Sequence, residues 1–190
     1  MAADPMVELR RRFTVEEYER MGEVGIFDPA DRVELLDGEI VTMSPIGPKH
    51  AGVVNRIAAC LFRSLDDRAT VIVQNPLRLL PRSEPQPDLV VARFRRDFYQ
   101  SAHPTAEDVL LVIEVADSSL RTDRAVKLPI YARQGIGEVW IVDLAADVVH
   151  VHTDPVHGAY REVCTVRSGE TLKPRMVPDL ELTIGEILGN

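Results

Sequence analysis

The sequence predicts a mixed α/β fold with a central mixed β-sheet flanked by helices, an N-terminal hairpin and additional C-terminal strands. Three observations predict it. Val109–Val115 is an almost unbroken apolar run, the pattern of a strand buried on both faces, and Glu138–Asp143 gives a second run of that kind. After Pro48, the residues Val53, Val54, Ile57, Ala58, Leu61, Phe62 and Leu65 recur at helical spacing and mark the main packing helix. The order along the chain is helix, hairpin, helix, three strands, helix and strand. It contains no glycine pattern of a dinucleotide fold or P-loop.

Taken in order, Thr14–Gly22 reads as a short opening helix. Thr14 caps it, Glu17 completes a capping box, Val15 and Tyr18 supply an apolar stripe, and Gly22 can end it. Residues 32–43 alternate around Asp37-Gly38, a strong hairpin signal, which puts Glu34 and Leu36 on one face and Val33 and Leu35 on the other. The strand in residues 70–80 is interrupted near Pro76, which lacks a ladder donor. Residues 81–87 return the chain into a strand opened by Asp88, and residues 93–105 form a polar, irregular excursion. Asp117-Ser118-Ser119 then leads into a helix holding Lys127 and Tyr131, which stops at Gly135 or Gly137. Pro129 predicts a late start or a kink, because its ring removes a helix bond and clashes with the preceding turn. Residues 146–152 pair with the strand before them, Asp143 ends that strand in a turn, Tyr160–Val166 adds another strand, and Thr183–Leu188 forms a short terminal helix.

The 190 residues suit a single domain, with a core over about 14–152 and a C-terminal extension over about 153–190. A hydrophobic content of 45% with 27% charge is that of a globular protein, and no run approaches the ~18 apolar residues of a membrane span. Met1–Pro5 lacks the regions of a signal peptide, so a cytoplasmic location without membrane contact is expected. Cys60 and Cys164 show no metal-type spacing and are expected as two buried, reduced thiols. The 30 acidic against 22 basic residues argue against a dedicated nucleic-acid-binding module. They do not exclude a nuclease, whose metal-binding carboxylates add negative charge where a phosphate must approach.

The chemistry concentrates between Gln86 and Tyr131. Asp88 opens one apolar run, Glu114 sits inside another, and Lys127 lies between Val126 and Leu128 in the next helix. Buried charges are costly unless paired, metal-bound or catalytic. An Asp and a Glu on neighbouring strands with a Lys close by can hold a divalent metal, activate a water and steady an oxyanion. Glu34 is either an outer carboxylate of this site or a partner for Arg32 or Arg56, and His50 either contacts a phosphate or caps a helix. Arg121 and Arg124, at the start of the lysine helix, either receive a phosphate with the helix N-terminus or form a solvated face. His150 and His152 share a strand face but have no third ligand nearby, so exposed polar alternation is their expected role.

With Pro87-Asp88, Ile113–Ala116 and the stretch from Asp123 to Asp143 in this order, the chain resembles the Uma2 family of endonucleases, which has the restriction-endonuclease-like, PD-(D/E)xK type of fold. The string RVELLDGEIVTMSP from Arg32 and His50 also look like the family's N-terminal motifs, so the resemblance covers about residues 14–185. It implies that Asp88 and Glu114 are ligands of Mg²⁺ or Mn²⁺, joined by the backbone carbonyl of Val115, and that a lysine completes a catalytic set. Two residues past Glu114, where that lysine normally stands, the chain has Ala116. Lys127 looks like its migrated equivalent, reaching back from the helix on a long flexible stem. The implied activity is metal-dependent hydrolysis of DNA phosphodiesters by a homodimer, since double-strand cleavage needs two sites. A noncatalytic nucleic-acid-binding or protein-interaction module on the same fold is the rival, and a hydrolase of another phosphate ester is a third reading.

Overall fold

The computed structural model describes residues 10–28, 30–117 and 119–189. Met1–Pro5 and Ser118 therefore lie outside the described residues. A six-stranded sheet holds the strands β3 (Ala69–Val73), β4 (Leu89–Arg93), β5 (Val109–Ala116), β6 (Glu138–Asp143), β7 (Val148–Val156) and β8 (Ala159–Val166) side by side in chain order. All neighbours are antiparallel except β5 and β6, whose parallel pairing needs a crossover. That crossover is the helix carrying Lys127. A separate hairpin of β1 (Val33–Leu36) and β2 (Glu39–Thr42) precedes the sheet, and β9 (Thr171–Leu172) pairs with β10 (Leu182–Thr183) after it.

Alternation along the central strands divides the core into two layers. Leu89, Val91, Leu111, Ile113, Val115 and Trp140 face α2 (Pro48–Leu65) and the short terminal helix α5 (Ile184–Leu188). Val90, Ala92, Val112, Ala116, Val139 and Ile141 face the crossover helix and the residues Leu77 and Leu79. By the same alternation Asp88 and Glu114 belong to the second face. This parity puts two carboxylates under the crossover helix.

Local chemistry explains the flanking elements. Helix α1 (Val15–Glu23) begins with the expected capping box: Glu17 N–H donates to Thr14 Oγ1 at 3.2 Å, and Thr14 N–H donates to Glu17 Oε2 at 3.0 Å. It runs one residue past Gly22 to Glu23. The β1–β2 turn uses positive φ at both Asp37 (50°) and Gly38 (82°), the requirement of a two-residue hairpin turn of type I′. A Cβ at Gly38 would stand 2.7 Å from Arg12 Cβ, so the turn is also closed against the preceding segment. Pro129 acts as expected, through a specific device. The crossover runs as α3 (Leu120–Thr122), a π turn (Asp123–Lys127) and α4 (Leu128–Arg133). Leu128 N–H bonds to the Asp123 carbonyl, one residue wider than α-helical spacing, and this widening accommodates the ring that follows.

Three side-chain expectations are corrected. Phe62, placed on the packing stripe by spacing, is 55% exposed, because the stripe is already filled by Ile57, Ala58, Leu61 and Leu65. Cys60 is buried but Cys164 is exposed, on the edge strand β8. His152 is buried instead of solvent-facing, with its ring 5.9 Å from that of Tyr160, and burial pushes its pKa down to about 4. No described helix is long and apolar enough to cross a membrane.

Candidate active site

Asp88 and Glu114 lie across from each other at the end of the β4–β5 ladder. The last registered pair is Leu89 with Ile113, so the next residue on each antiparallel strand faces the other. Beyond that pair β5 has no ladder partner on its β4 side, and Val115 N–H turns instead to Asp88 Oδ2 at 2.9 Å. Asp88 Oδ2 also meets His50 Nε2 at 3.0 Å, and Asp88 Oδ1 accepts from Gln74 Nε2 at 3.1 Å. Burial works to raise the Asp88 pKa, but the His50 hydrogen bond and charge, with those from Val115 and Gln74, outweigh it and hold the group below its usual value. The same contact with Asp88 raises the pKa of His50. His50 reaches it from the first turn of α2, so the two packing layers meet at this carboxylate.

Glu114 has different partners. Its Oε1 accepts from Tyr131 Oη at 2.6 Å and lies 3.3 Å from Lys127 Nζ. Lys127 Nζ is also 3.2 Å from Glu34 Oε2, which accepts from Gln86 N–H at 3.1 Å. All four charged or phenolic groups, Glu34, Glu114, Lys127 and Tyr131, are buried. Burial pushes the Glu114 carboxyl up to about 8, with Lys127 pulling the other way. For Lys127, burial opposes the charge, but Glu114, Glu34 and Asp123 outweigh it and hold the pKa above the ordinary lysine value. Glu34 is thus a partner of Lys127 and not of Arg32 or Arg56.

Asp88, Glu114, Lys127, Glu34 and His50 therefore line one cleft with about 200 Å³ of room. Arg121 and Arg124 do not line it and stand exposed on the crossover helix. Asp143 forms the expected turn, its Oδ1 accepting from Ala145 and Ala146 N–H at 3.0 and 3.1 Å. His150 contacts Thr165 on β8.

Sequence reasoning missed Asp123, Gln74 and Tyr131 at this site. Asp123 is buried in the cleft wall, takes a 2.6 Å hydrogen bond from Ser119 Oγ, and has its pKa raised by burial. Its signal was the spacing Asp123, Lys127, Tyr131, which stacks one side chain per turn on one helix face. Gln74 left no such signal. It holds a positive φ of 51° just past β3, a strained conformation for a non-glycine residue, which accompanies the contact of its amide with Asp88.

Among the described residues no three His, Cys, Asp or Glu side chains are grouped to hold a metal ion. A site of two carboxylates and a backbone carbonyl needs no such trio, and the lone pairs favour it. Each carboxylate oxygen accepts about two hydrogen bonds. Asp88 Oδ2 and Glu114 Oε1 are fully used by the contacts above, whereas Asp88 Oδ1 keeps a free site and Glu114 Oε2 accepts no hydrogen bond from the described residues. Within a strand the N–H and C=O of one residue point to the same side, so the Val115 carbonyl projects with its N–H toward Asp88. These are hard oxygen donors, of the kind Mg²⁺ and Mn²⁺ accept.

The family model of Uma2, described as "Putative restriction endonuclease", matches residues 15–185. The chain belongs to the Uma2 family. A crystal structure described as "a putative nuclease belonging to DUF820 from Anabaena variabilis ATCC 29413" superposes with a TM-score of 0.73 at 14% identity, over 93% of this chain and 98% of that one. At that identity the likeness is one of fold. No curated protein matches the chain. This Uma2 protein thus carries a nuclease-like fold, with its charged cleft where β4 and β5 part.

Proposed function

We propose that the protein is a metal-dependent endonuclease that hydrolyses DNA phosphodiester bonds, with Mg²⁺ or Mn²⁺ held by Asp88, Glu114 and the Val115 carbonyl. One observation carries the reading: two carboxylates and a lysine from three different elements converge on a single cleft instead of pointing to separate faces. The ion, when bound, supplies Lewis acidity, lowering the pKa of a water and offsetting negative charge on the phosphate.

The protein's own groups do the rest. Lys127 stays protonated between Glu34 and Glu114 and presents fixed positive charge where negative charge builds in the transition state. Tyr131 and Lys127 orient Glu114 through the same oxygen, while His50, Gln74 and Val115 N–H orient Asp88. Burial keeps bulk water from screening these contacts. A noncatalytic module would have no physical need for buried carboxylates around a buried lysine, since such a cluster is costly to fold.

Incubation of supercoiled plasmid with the purified chain and Mn²⁺ tests the reading. Nicked or linear product is expected with Mn²⁺ and none with EDTA. A correctly folded chain that leaves DNA intact under every divalent ion offered would overturn it. The active form is proposed to be a homodimer, because double-strand cleavage requires two sites and two-fold symmetry supplies them.

A further inference from the structure

We infer that Arg32 is a phosphate clamp of the cleft, binding a phosphate of the substrate strand beside the one being cut. This rests on the nuclease reading and adds a binding residue to it. Among the described residues the cleft is lined by five carboxylates, Glu34, Asp88, Glu114, Asp117 and Asp123, against two permanent cations, Lys127 and Arg32. A phosphodiester approaching such a wall is repelled unless cations are left to receive it. Lys127, buried and held between Glu34 and Glu114, serves the phosphate being cut, which leaves Arg32 for a neighbouring one.

Arg32 is free. It makes no ion pair among the described residues, and its guanidinium donates to the Ser44 carbonyl at a long 3.4 Å. An arginine without a carboxylate partner in an acid-rich cleft is poised for an anion from outside.

Its place in the chain sets the geometry. Arg32 stands two residues before Glu34, and its carbonyl accepts from Met43 N–H at 2.8 Å, so it extends the β1–β2 ladder and its side chain shares the face of Glu34. Two residues along a strand is roughly 7 Å. The step from Glu34 to Arg32 is also a step from buried to half-buried, along the cleft lining from the partner of Lys127 toward solvent. The guanidinium's planar fork of donors matches phosphate oxygens bidentately, which an ammonium cannot do.

The test measures binding of a fluorescent DNA duplex by anisotropy, with Ca²⁺ as the divalent ion, over a series of salt concentrations, for the wild-type chain and three variants. Arg32→Ala should bind about tenfold more weakly, as for loss of a charge-assisted hydrogen bond. Its slope of log affinity against log salt should fall by about 1. Arg32→Lys should restore the slope but not the full affinity. Arg161→Ala, which removes an exposed cation on the edge strand β8, should change neither. In Mn²⁺, Arg32→Ala should raise KM while leaving kcat near the parental value. An unchanged salt slope in Arg32→Ala, or an equal fall in Arg161→Ala, overturns the clamp. A wild-type chain that neither binds nor cuts DNA overturns the nuclease reading instead, and that result is seen before any variant is compared.

Discussion

Lys127 Nζ stands 3.3 Å from Glu114 Oε1, and the contact exists because a π turn and a strand end are brought to the same sheet face. Both residues are buried, so the protonated lysine depends on its carboxyl partners, Glu34 and Glu114, and not on bulk water. Removing one partner of a buried pair leaves an uncompensated charge, at a cost of about 3–5 kcal/mol. Lys127→Met should therefore melt well below the parent, by roughly 10 °C for a chain of this size. It should also lose on the order of 100-fold or more in cleavage rate, as when comparable electrostatic groups are removed. Lys127→Arg separates the two effects, because it keeps the charge and changes the geometry. It is expected to recover much of the melting temperature and little of the rate. Parental cleavage by Lys127→Met would make the lysine structural.

The carboxylates give a second prediction. Asp88→Ala and Glu114→Ala each remove a hard oxygen donor, and calorimetric titration with Mn²⁺ should lose the binding seen in the parent. Both variants should also lose stability. Asp88→Ala strips His50, Gln74 and Val115 N–H of an acceptor. Glu114→Ala strips Tyr131 and Lys127 of theirs. Each should accordingly melt below the parent. Parental Mn²⁺ affinity in both would remove the metal assignment.

Assembly is the third. The proposed homodimer should sediment as a single species of twice the 21.2 kDa chain mass at micromolar concentration. A monomer across that range would leave double-strand cleavage without its second site.

Much of this arrangement was legible in the sequence, for identifiable reasons. The capping box at Thr14, the turn at Asp37-Gly38 and the apolar run of β5 follow from local rules, and local chemistry decided them. Asp88, Glu114 and Lys127 stood out because each places a charge in an apolar setting, which propensity alone would not choose. What was not legible depends on the third dimension. Gln74 reaches Asp88 only because the chain leaves β3 in a left-handed turn, and no spacing encodes that. Phe62 fits the helical period yet sits at the edge of a stripe whose width is set by the packing partner. Arg32 was weighed only as a partner for Glu34, since the sequence does not show that Lys127 already occupies that position.

The last prediction concerns Glu84, which lies outside the cleft and provides a pH test of the fold. Glu84 follows the turn beneath the hairpin, where its N–H donates to the Leu35 carbonyl at 2.7 Å. Its side chain is buried, and Oε2 has no hydrogen-bond partner among the described residues. Burial first, and then the charge of Glu19, push its pKa up to about 7, with Arg78 pulling the other way. A carboxyl whose folded pKa exceeds its unfolded value binds its proton more tightly in the native state. Its contribution is therefore fully present below the unfolded value, near 4.5, and is lost as pH rises to about 7. Glu84→Gln keeps the shape and cannot ionise, so its advantage over the parent should be small at pH 5 and reach a plateau near pH 8. Allowing for solvent screening of the partly hydrated cluster, the plateau should be on the order of 1–2 kcal/mol. Thermal melts of both proteins from pH 5 to pH 8 measure it. A constant difference across that range would show that Glu84 does not change its protonation on folding.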